Sequence, residues 1–164
     1  MLTGYKDYIY IIDLISSIVE DFKNDTHMKD VDIRLSCEHF DYLLVEADKG
    51  RIAQVISNLV NNAVKFANKD RRTIFIGLNM EQQMHNNGVE KKVIVTIKDN
   101  GPGIDPEILP RLFTKFASKS ETGGTGLGLF ISKSIIESHG GKIGAENNAD
   151  GKGATFYFIL PINT

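Results

Sequence analysis

Strand patterns that occur in pairs between helical patterns are the feature that most limits how this chain can fold. Helical patterns cover three segments and a shorter fourth one: 8–24, about 49–66, about 126–139 and about 106–112. Patterns typical of strands cover six further segments: 31–36, 42–46, 73–80, 91–98, 142–146 and 153–160. Because two strands follow each main helix, the order predicts an α+β fold. We expect a two-layer sandwich with about three helices on one face of a mixed sheet of about five strands.

Capping and turn residues mark the ends of these elements. A turn around Glu38–Asp41 joins the first two strands, and Asp48 is a typical N-cap for the helix that follows. The polar stretch Glu81–Glu90, which holds Asn86-Asn87-Gly88, predicts a long and mobile hairpin loop. Gly140-Gly141 is a stop signal for the last helix.

Length and composition predict one domain that spans residues 1–164 and binds no nucleic acid. The chain has 164 residues, 41% of them hydrophobic, and its formal net charge of -2 provides no basic patch. The lone Cys37 cannot form an internal disulfide, which is typical of a reducing compartment. No apolar run approaches the ~20 residues that span a bilayer. We therefore expect a cytoplasmic domain without membrane contact, and any membrane anchor of a longer parent protein would lie outside this chain.

The helix over about 49–66 carries a line of polar residues, Asn58, Asn62 and Lys65, apart from its apolar face. A solvated helix face is the simplest explanation of such a line. Asn is a poor helix former, however, so Asn residues in mid-helix cost stability without an evident structural gain. The Asn carbonyl oxygen suits Mg²⁺ beside phosphate oxygens, and Lys suits the phosphates themselves. The line therefore indicates either a solvated surface or a site for metal and phosphate.

Two glycine-rich segments are the other candidates for a binding site. The first, Asp99-Asn100-Gly101-Pro102-Gly103-Ile104, follows a strand directly, where a buried carboxylate is costly unless it meets a donor. The same segment is equally typical of a plain tight turn. The second, Gly124-Thr125-Gly126-Leu127-Gly128, opens a helix, whose free N–H groups favour phosphate. Between the two, Phe113 and Phe116 are spaced as core anchors, and residues 117–123 have the small, polar composition of a flexible lid.

Together and in this order, the Asn line, the first glycine segment, the Phe pair and the second glycine segment resemble four boxes of a known family. They are similar to the N, G1, F and G2 boxes of the sensor histidine kinase ATP-binding domain, within the GHKL superfamily. The resemblance covers roughly residues 8–162. It implies the Bergerat ATP-binding fold, ATP and Mg²⁺ as ligands, and transfer of the γ-phosphate as the reaction.

The resemblance also implies a role for each matching residue. Asn62 would ligate Mg²⁺, Lys65 would meet a phosphate and Asp99 would read adenine. Asn58 stands where related ATPases carry a Glu general base, so hydrolysis should be slow. The family's lid Arg is replaced by Ser118, which leaves the cationic lid contact unassigned. The implied catalytic residues are Asn58, Asn62 and Lys65. The implied nucleotide contacts are Asn58, Asn62, Lys65, Phe66, Asp99, Gly101, Gly103, Ile104, Phe116, Gly124, Thr125, Gly126, Leu127, Gly128 and Thr155.

The histidine that accepts the phosphate is not expected within this chain. The family's acceptor His is followed by an acidic residue and a Pro, a pattern that His27, His39, His85 and His139 all lack. His139 is predicted to be structural. The resemblance thus implies a protein-histidine kinase domain that donates to a histidine on a separate dimerisation domain, with a response regulator downstream. Without that dimerisation domain, the isolated chain is expected to be a monomer.

Three other functions stay open on the sequence. An anti-sigma-type serine kinase of the same superfamily would not be expected to carry the Phe pair. A non-catalytic nucleotide-binding interaction module would have no physical need of both glycine segments and the Asn line. An autonomous ATPase is disfavoured by Asn58, which cannot accept a proton from water.

Overall fold

The computed structural model describes residues 5–37, 42–117 and 126–162. Its helices and strands are, in chain order, β1 (Asp7–Tyr10), α1 (Ile11–Asn24), β2 (Val31–Ser36), β3 (Leu44–Ala47), α2 (Lys49–Phe66), β4 (Arg72–His85), β5 (Gly88–Asp99), α3 (Gly128–Ser138), β6 (Lys142–Asn147) and β7 (Ala154–Ile162). Short 3-10 turns lie at Thr26–Met28 and Leu109–Arg111. Within the described ranges, no helix is long and apolar enough to cross a membrane.

Five strands form a mixed sheet in the order β2-β4-β5-β7-β6, and the three helices pack on one face of it. β2 and β4 run parallel, and the other neighbouring pairs are antiparallel. Alternate residues of the central strands are buried under the helices, among them Ile76, Val95 and Phe158. Such alternation is what a sheet with one covered face requires. The predicted α+β two-layer sandwich is therefore confirmed.

The first helix begins later than the sequence predicts. The apolar spacing predicts helix from residue 8, but Asp7–Tyr10 form a strand that pairs antiparallel with β3. This second, two-stranded sheet buries Ile9 opposite Val45. The aromatic and β-branched residues of the segment favour a strand, and the pairing with β3 outweighs the helical spacing.

The prediction of a long loop between β4 and β5 is wrong. The two strands stay paired as far as His85 and Gly88, so Glu81–Glu90 is a continuation of the hairpin with a two-residue turn at Asn86-Asn87. Beyond the sheet both faces of this hairpin are exposed, so its strands need no apolar alternation and their sequence looks like a loop.

Two smaller predictions are also revised. The helix predicted near 106–112 contains only the 3-10 turn Leu109–Arg111, within which Pro110 offers no backbone N–H. The predicted turn at Glu38–Asp41 lies outside the described residues. The strands on either side of it belong to different sheets, since β2 pairs with β4 and β3 pairs with β1.

The helix ends carry the caps that the sequence predicts. The Asp48 carboxylate accepts the N–H of Arg51 at 3.1 Å and so caps the start of α2. At the end of α3 the N–H of Gly141 donates to the Ile136 carbonyl at 3.0 Å, while Gly140 has a φ of 75°. This is a Schellman motif, which satisfies carbonyls that the ending helix would otherwise leave without partners.

Buried His139 ties the end of α3 to the start of α2. Its Nε2 accepts the Asp48 N–H at 3.0 Å, and its Nδ1 lies 2.7 Å from the Ile135 carbonyl oxygen, to which an Nδ1–H would donate. This pattern requires the neutral ring, because an imidazolium has no acceptor nitrogen. The structural role predicted for His139 is confirmed, and it fixes α2 and α3 in an antiparallel arrangement.

Replacing His139 with Ala should lower the free energy of unfolding by about 1–3 kcal/mol, because the Asp48 N–H would lose its acceptor in a part-buried position. Urea unfolding followed by circular dichroism measures the change. His27→Ala, at an exposed histidine, is the matched control. Equal, small losses in the two variants would show that His139 does not hold the helix ends together.

Candidate functional site

Asp99 is the last residue of β5, and one oxygen of its buried carboxylate accepts hydrogen bonds from the protein. Only 3% of the residue is exposed, and Oδ1 accepts the N–H groups of Gly101 at 2.8 Å and Ala154 at 3.3 Å. Burial raises the pKa of Asp99, and the two N–H donors partly oppose that rise. Both bonds reach Oδ1. Among the described residues no donor meets Oδ2, which is therefore the oxygen that remains for a donor on a bound molecule.

The glycines after Asp99 let the turn lie directly against neighbouring backbone. A Cβ at Gly101 would come within 1.8 Å of the Phe66 carbonyl oxygen, at the end of α2. Gly103 has a φ of 89°, and a Cβ there would meet Asn147 Oδ1 at 2.8 Å. Glycine at these two positions therefore lets the turn fit between α2 and β6.

Asn100, which the sequence analysis did not select, fastens the turn to the segment between α2 and β4. Its Oδ1 accepts the N–H groups of Asn68 and Thr73, both at 3.2 Å. Its Nδ2 donates to the Arg71 carbonyl at 2.6 Å. One amide thus satisfies two backbone groups of the connection and one at the start of β4.

Two consecutive asparagines at the end of β6, also not selected from the sequence, hold the other side of the turn. Asn147 Oδ1 accepts the Ile104 N–H at 2.7 Å, and its Nδ2 donates to the Ile104 carbonyl at 2.9 Å. Asn148 Nδ2 donates to the Asp99 carbonyl at 3.2 Å. The signal that could have found them is the Asn-Asn pair just before a glycine turn, since Asn side chains commonly bond nearby backbone there.

Thr155, predicted to lie near the ligand, is placed on the sheet face opposite to Asp99. In the register of β5 and β7 it pairs with Lys98, whereas Asp99 shares the helix-covered face. Its hydroxyl donates to Asn148 Oδ1 at 2.6 Å. The backbone N–H that meets the Asp99 carboxylate comes from Ala154. Thr155 therefore reaches the turn only through Asn148.

The Asn line of α2 faces the start of α3. Asn58 Nδ2 donates to the Gly128 carbonyl at 3.4 Å and to Ser132 Oγ at 3.2 Å. Asn62 lies one turn further along α2, toward the glycine turn, and is half-buried. No hydrogen bond within the described ranges engages its amide. The line is thus not a uniformly solvated face: Asn58 joins two helices, and the amide of Asn62 is available to a ligand.

Lys65 and Phe66 complete this end of α2. Lys65 is exposed, and its Nζ lies 5.6 Å from the centre of the Phe66 ring, which is 42% exposed. A cation over an aromatic face gains a modest attraction at an exposed site. The ammonium keeps its three donors available for an anion.

The Phe pair divides into one partly buried anchor and one exposed ring. Phe113 packs edge-to-face on Phe156, with ring centres 6.4 Å apart. Phe116 is 69% exposed and has a φ of 59°, and its N–H donates to the Gly126 carbonyl at 2.9 Å. That bond joins the chain on either side of residues 118–125. Gly124 and Thr125, both predicted to bind phosphate, lie outside the described residues.

The donor set limits how a metal could be held. In the part of the chain that the structure describes, no group of three or more His, Cys, Asp or Glu side chains is arranged to bind a metal ion. A metal beside Asn62 would therefore take most of its ligands from a bound molecule and water. Mg²⁺ binds in this way, with few protein ligands and the phosphates of its substrate.

Comparison with known proteins identifies the relatives of this chain. The family model of histidine kinase-, DNA gyrase B-, and HSP90-like ATPases matches residues 47–164. The sensor protein KdpD of Clostridium acetobutylicum is 36% identical over 161 residues, which are 95% of this chain and 16% of that protein. The sensor histidine kinase WalK of Bacillus subtilis is 32% identical over 162 residues, which are 95% of this chain and 25% of that protein. The chain thus spans a quarter or less of the length of these relatives.

Solved structures give the same result for the fold. The nucleotide-free catalytic domain of histidine kinase ThkA has a TM-score of 0.78 and 34% identity, with 96% of each chain covered. Full-length ShkA in complex with AMPPNP has a TM-score of 0.78 and 27% identity, covering 99% of this chain and 32% of that one. ThkA in complex with the response regulator TrrA has a TM-score of 0.75 and 31% identity, covering 96% of this chain and 42% of that one.

Gly101→Ala should lower the free energy of unfolding by about 1–3 kcal/mol, since its Cβ cannot fit against the Phe66 carbonyl without moving α2 or the turn. Thermal or urea unfolding measures the loss. Gly50→Ala is the control, because its Cβ would meet no atom closer than 3.6 Å. Alanine there should be neutral, or stabilising by up to about 1 kcal/mol, through helix propensity. A Gly101 variant as stable as wild type would contradict the close packing of the turn.

Proposed function

The chain belongs to the family of histidine kinase-, DNA gyrase B- and HSP90-like ATPases as a sensor histidine kinase ATP-binding domain, and from this premise we propose its reaction. It binds Mg·ATP and donates the γ-phosphate to a histidine on a separate dimerisation domain, as the catalytic half of a two-component sensor kinase. Residues 1–164 form one ATP-binding domain of a longer signalling system. Because ATP is its substrate, the domain works in the cytoplasm.

The single observation that carries the proposal is the half-engaged carboxylate of Asp99. Oδ1 is held by two backbone N–H groups, and Oδ2 remains for a donor on a ligand. The adenine amino group is such a donor, and a desolvated carboxylate binds it strongly because no water competes. Ile104, held by Asn147, would line the same pocket with an apolar side chain. The base would thus be recognised by one charged hydrogen bond within packed walls.

The phosphates would extend from this pocket along α2 toward the start of α3. There Asn62 supplies an amide oxygen to Mg²⁺, and Lys65 supplies an ammonium to a phosphate. Backbone N–H groups of the segment Gly124–Gly128 would hold the remaining phosphate oxygens at a helix N-terminus. Mg²⁺, when bound, neutralises phosphate charge as the transfer proceeds. The protein's own contribution is to position the γ-phosphate and shield its charge.

Asn58 explains why the bound ATP would be kept for transfer. An amide cannot take a proton from water, and its Nδ2 is already engaged by Gly128 and Ser132. Hydrolysis would therefore lack a base on this side of the site. In the proposed reaction a histidine nitrogen of the partner domain attacks the γ-phosphorus, the bond to the β–γ bridging oxygen breaks, and ADP leaves.

The relatives support the partners of this proposal. ShkA was solved with AMPPNP, an ATP analogue, and ThkA was solved with a response regulator. We propose the same two kinds of contact here: a nucleotide in the Asp99 pocket, and a response regulator that receives the phosphate from the histidine. The partly buried anchor Phe113 fits a histidine kinase rather than a serine kinase, since a serine kinase of this superfamily is not expected to carry the Phe pair.

Asp99→Asn should weaken binding of a non-hydrolysable ATP analogue by about 10- to 100-fold in a calorimetric titration, because a neutral amide replaces the charged acceptor.

The stability of this variant can be predicted as well. The folded state raises the pKa of Asp99 above its ordinary 3.8. Protonated Asp99 therefore contributes to the free energy of unfolding below pH 3.8, and this stabilisation is lost as pH rises through the pKa of Asp99 in the folded state. The Asn variant should thus unfold at neutral pH no more easily than wild type. Asp105→Asn, at an exposed carboxylate of the same turn, is the control. Unchanged affinity in the Asp99 variant would remove Asp99 as the base reader.

Incubation with Mg·ATP labelled at the γ-position and a histidine-bearing dimerisation domain should give an acid-labile, base-stable phosphoprotein. Asn62→Ala should reduce the rate by at least about tenfold through loss of the metal ligand, whereas Asn61→Ala, its exposed neighbour on α2, should not. An acid-stable phosphate would indicate a serine acceptor instead. Equal rates in the two Asn variants would show that Asn62 does not hold the metal.

A further inference from the structure

The outer part of the β4–β5 hairpin, residues 79–90, forms an arm, and its residues 83–90 extend past Lys91–Ile162, the last pair of β5 with β7. All twelve residues are exposed, and the strands stay paired as far as His85 and Gly88. β2 accompanies β4 only to the pair Ser36–Gly77. In the described part of the chain, the edge of β4 from residue 79 to residue 85 therefore has no neighbouring strand.

This free edge lacks the features that usually keep strand edges apart. Its sequence, Asn79-Met80-Glu81-Gln82-Gln83-Met84-His85, holds one carboxylate and no Lys, Pro or Gly. The edge formed by β2, in contrast, presents the exposed ion pair of Asp32 and Arg34, at 2.8 Å. Natural proteins protect exposed edges with charges, Pro or bulges, because unpaired N–H and C=O groups recruit another strand. The exposed edge of β4 in the arm can therefore pair with a strand of another molecule.

The hairpin geometry determines which backbone groups the edge offers. In a two-residue hairpin the pair beside the turn, here His85 and Gly88, exchanges both hydrogen bonds. Odd-numbered residues of β4 therefore point their N–H and C=O toward β5, in agreement with Thr73, whose N–H reaches Asn100 on that side. The groups of Met80, Gln82 and Met84 point to the free edge.

We propose that the arm is an interaction surface for a second copy of this chain, paired antiparallel about a two-fold axis at Gln82. The N–H and C=O of Gln82 would bond those of Gln82 in the second copy, and Met80 would do the same with Met84. The result is a sheet that continues from one copy into the other, with β4 of each copy at its centre and β5 of each copy on the outer side of β4. A two-fold contact of this kind is closed, so it gives dimers and not fibres.

The side chains favour this register. Met80 would face Met84 of the second copy, which joins the two apolar side chains of each edge, and Met84 is 82% exposed in the single chain. On the other face Glu81 would oppose Gln83, so the carboxylate meets an amide donor. His85, whose Nε2 lies 3.1 Å from Glu90 Oε2 within the same hairpin, would be diagonal to Glu81. An axis at Glu81 would place two carboxylates opposite each other, and an axis at Gln83 would place Met84 opposite Gln82.

The contact is small and remote from the nucleotide pocket. Lys91, the β5 partner of Gln82, lies eight residues before Asp99, a distance of about 27 Å in an extended strand. Pairing would therefore leave the pocket of each copy open, and the proposal does not depend on the proposed function. An interface of a few residues is weak and transient. The monomer expected from the sequence would prevail in dilute solution and the dimer at high concentration.

Sedimentation equilibrium between about 10 μM and 1 mM tests the proposal on the whole chain. The average mass of the wild type should rise with concentration toward that of a dimer. Gln82→Glu and Gln82→Lys each place like charges across the axis, so each alone should weaken association about fivefold. An equimolar mixture of the two should restore association to at least the wild-type level. The same charge changes at Gln54, an exposed residue of α2, should have no effect.

A proline variant removes the backbone contribution without changing the hairpin. Gln82→Pro deletes an N–H that points away from β5, so it should abolish the dimer while circular dichroism and nucleotide binding stay as in wild type. A wild type that stays monomeric up to 1 mM would overturn the proposal. So would a dimer that is insensitive to the Gln82 variants, or a charged pair that fails to recover on mixing.

Discussion

The rest of the site depends on the burial of one carboxylate, Asp99. A charge at the end of a covered strand is costly in a protein interior, and it is retained only where backbone donors surround it. Here those donors come from Gly101, two residues along the chain, and from Ala154 on the neighbouring strand. Burial of the Asp99 carboxylate thus lowers the stability of the fold, and its Oδ2 stays without a donor among the described residues.

Three asparagines make that arrangement rigid. Asn100 holds the turn to the connection that leaves α2, while Asn147 and Asn148 hold it to the end of β6. Each amide satisfies backbone groups that would otherwise need water, and a preorganised turn costs less entropy when a ligand binds. α2 supports the other side, since its apolar face is buried and its polar line is left for Asn58 and Asn62.

Local signals gave most of the fold, and at the candidate site they selected Asp99 and its glycines but not the asparagines that hold the turn. β2 and α2 begin and end where the sequence predicts, because alternation and the N-cap Asp48 are strong signals within a few residues. β1 and the arm were missed because their pairing partners, β3 and the other half of the hairpin, decide their structure rather than their own spacing. The asparagines that hold the turn were missed for a similar reason, since each bonds backbone that is distant in sequence.

The sequence by itself determined the chemistry of this protein: an amide line on one helix, a carboxylate before a glycine turn, and a second glycine segment at a helix start. These depend on residue types at short spacing, which the chain carries whatever its folded neighbours are. The tertiary structure alone decided which groups meet. It placed Ala154 rather than Thr155 at the carboxylate and committed Asn58 to α3. Among the described residues it also left the outer part of β4, from residue 79 to residue 85, without a second neighbouring strand. Strand register and helix packing set these contacts, and a shift of one residue would move every side chain to the opposite face.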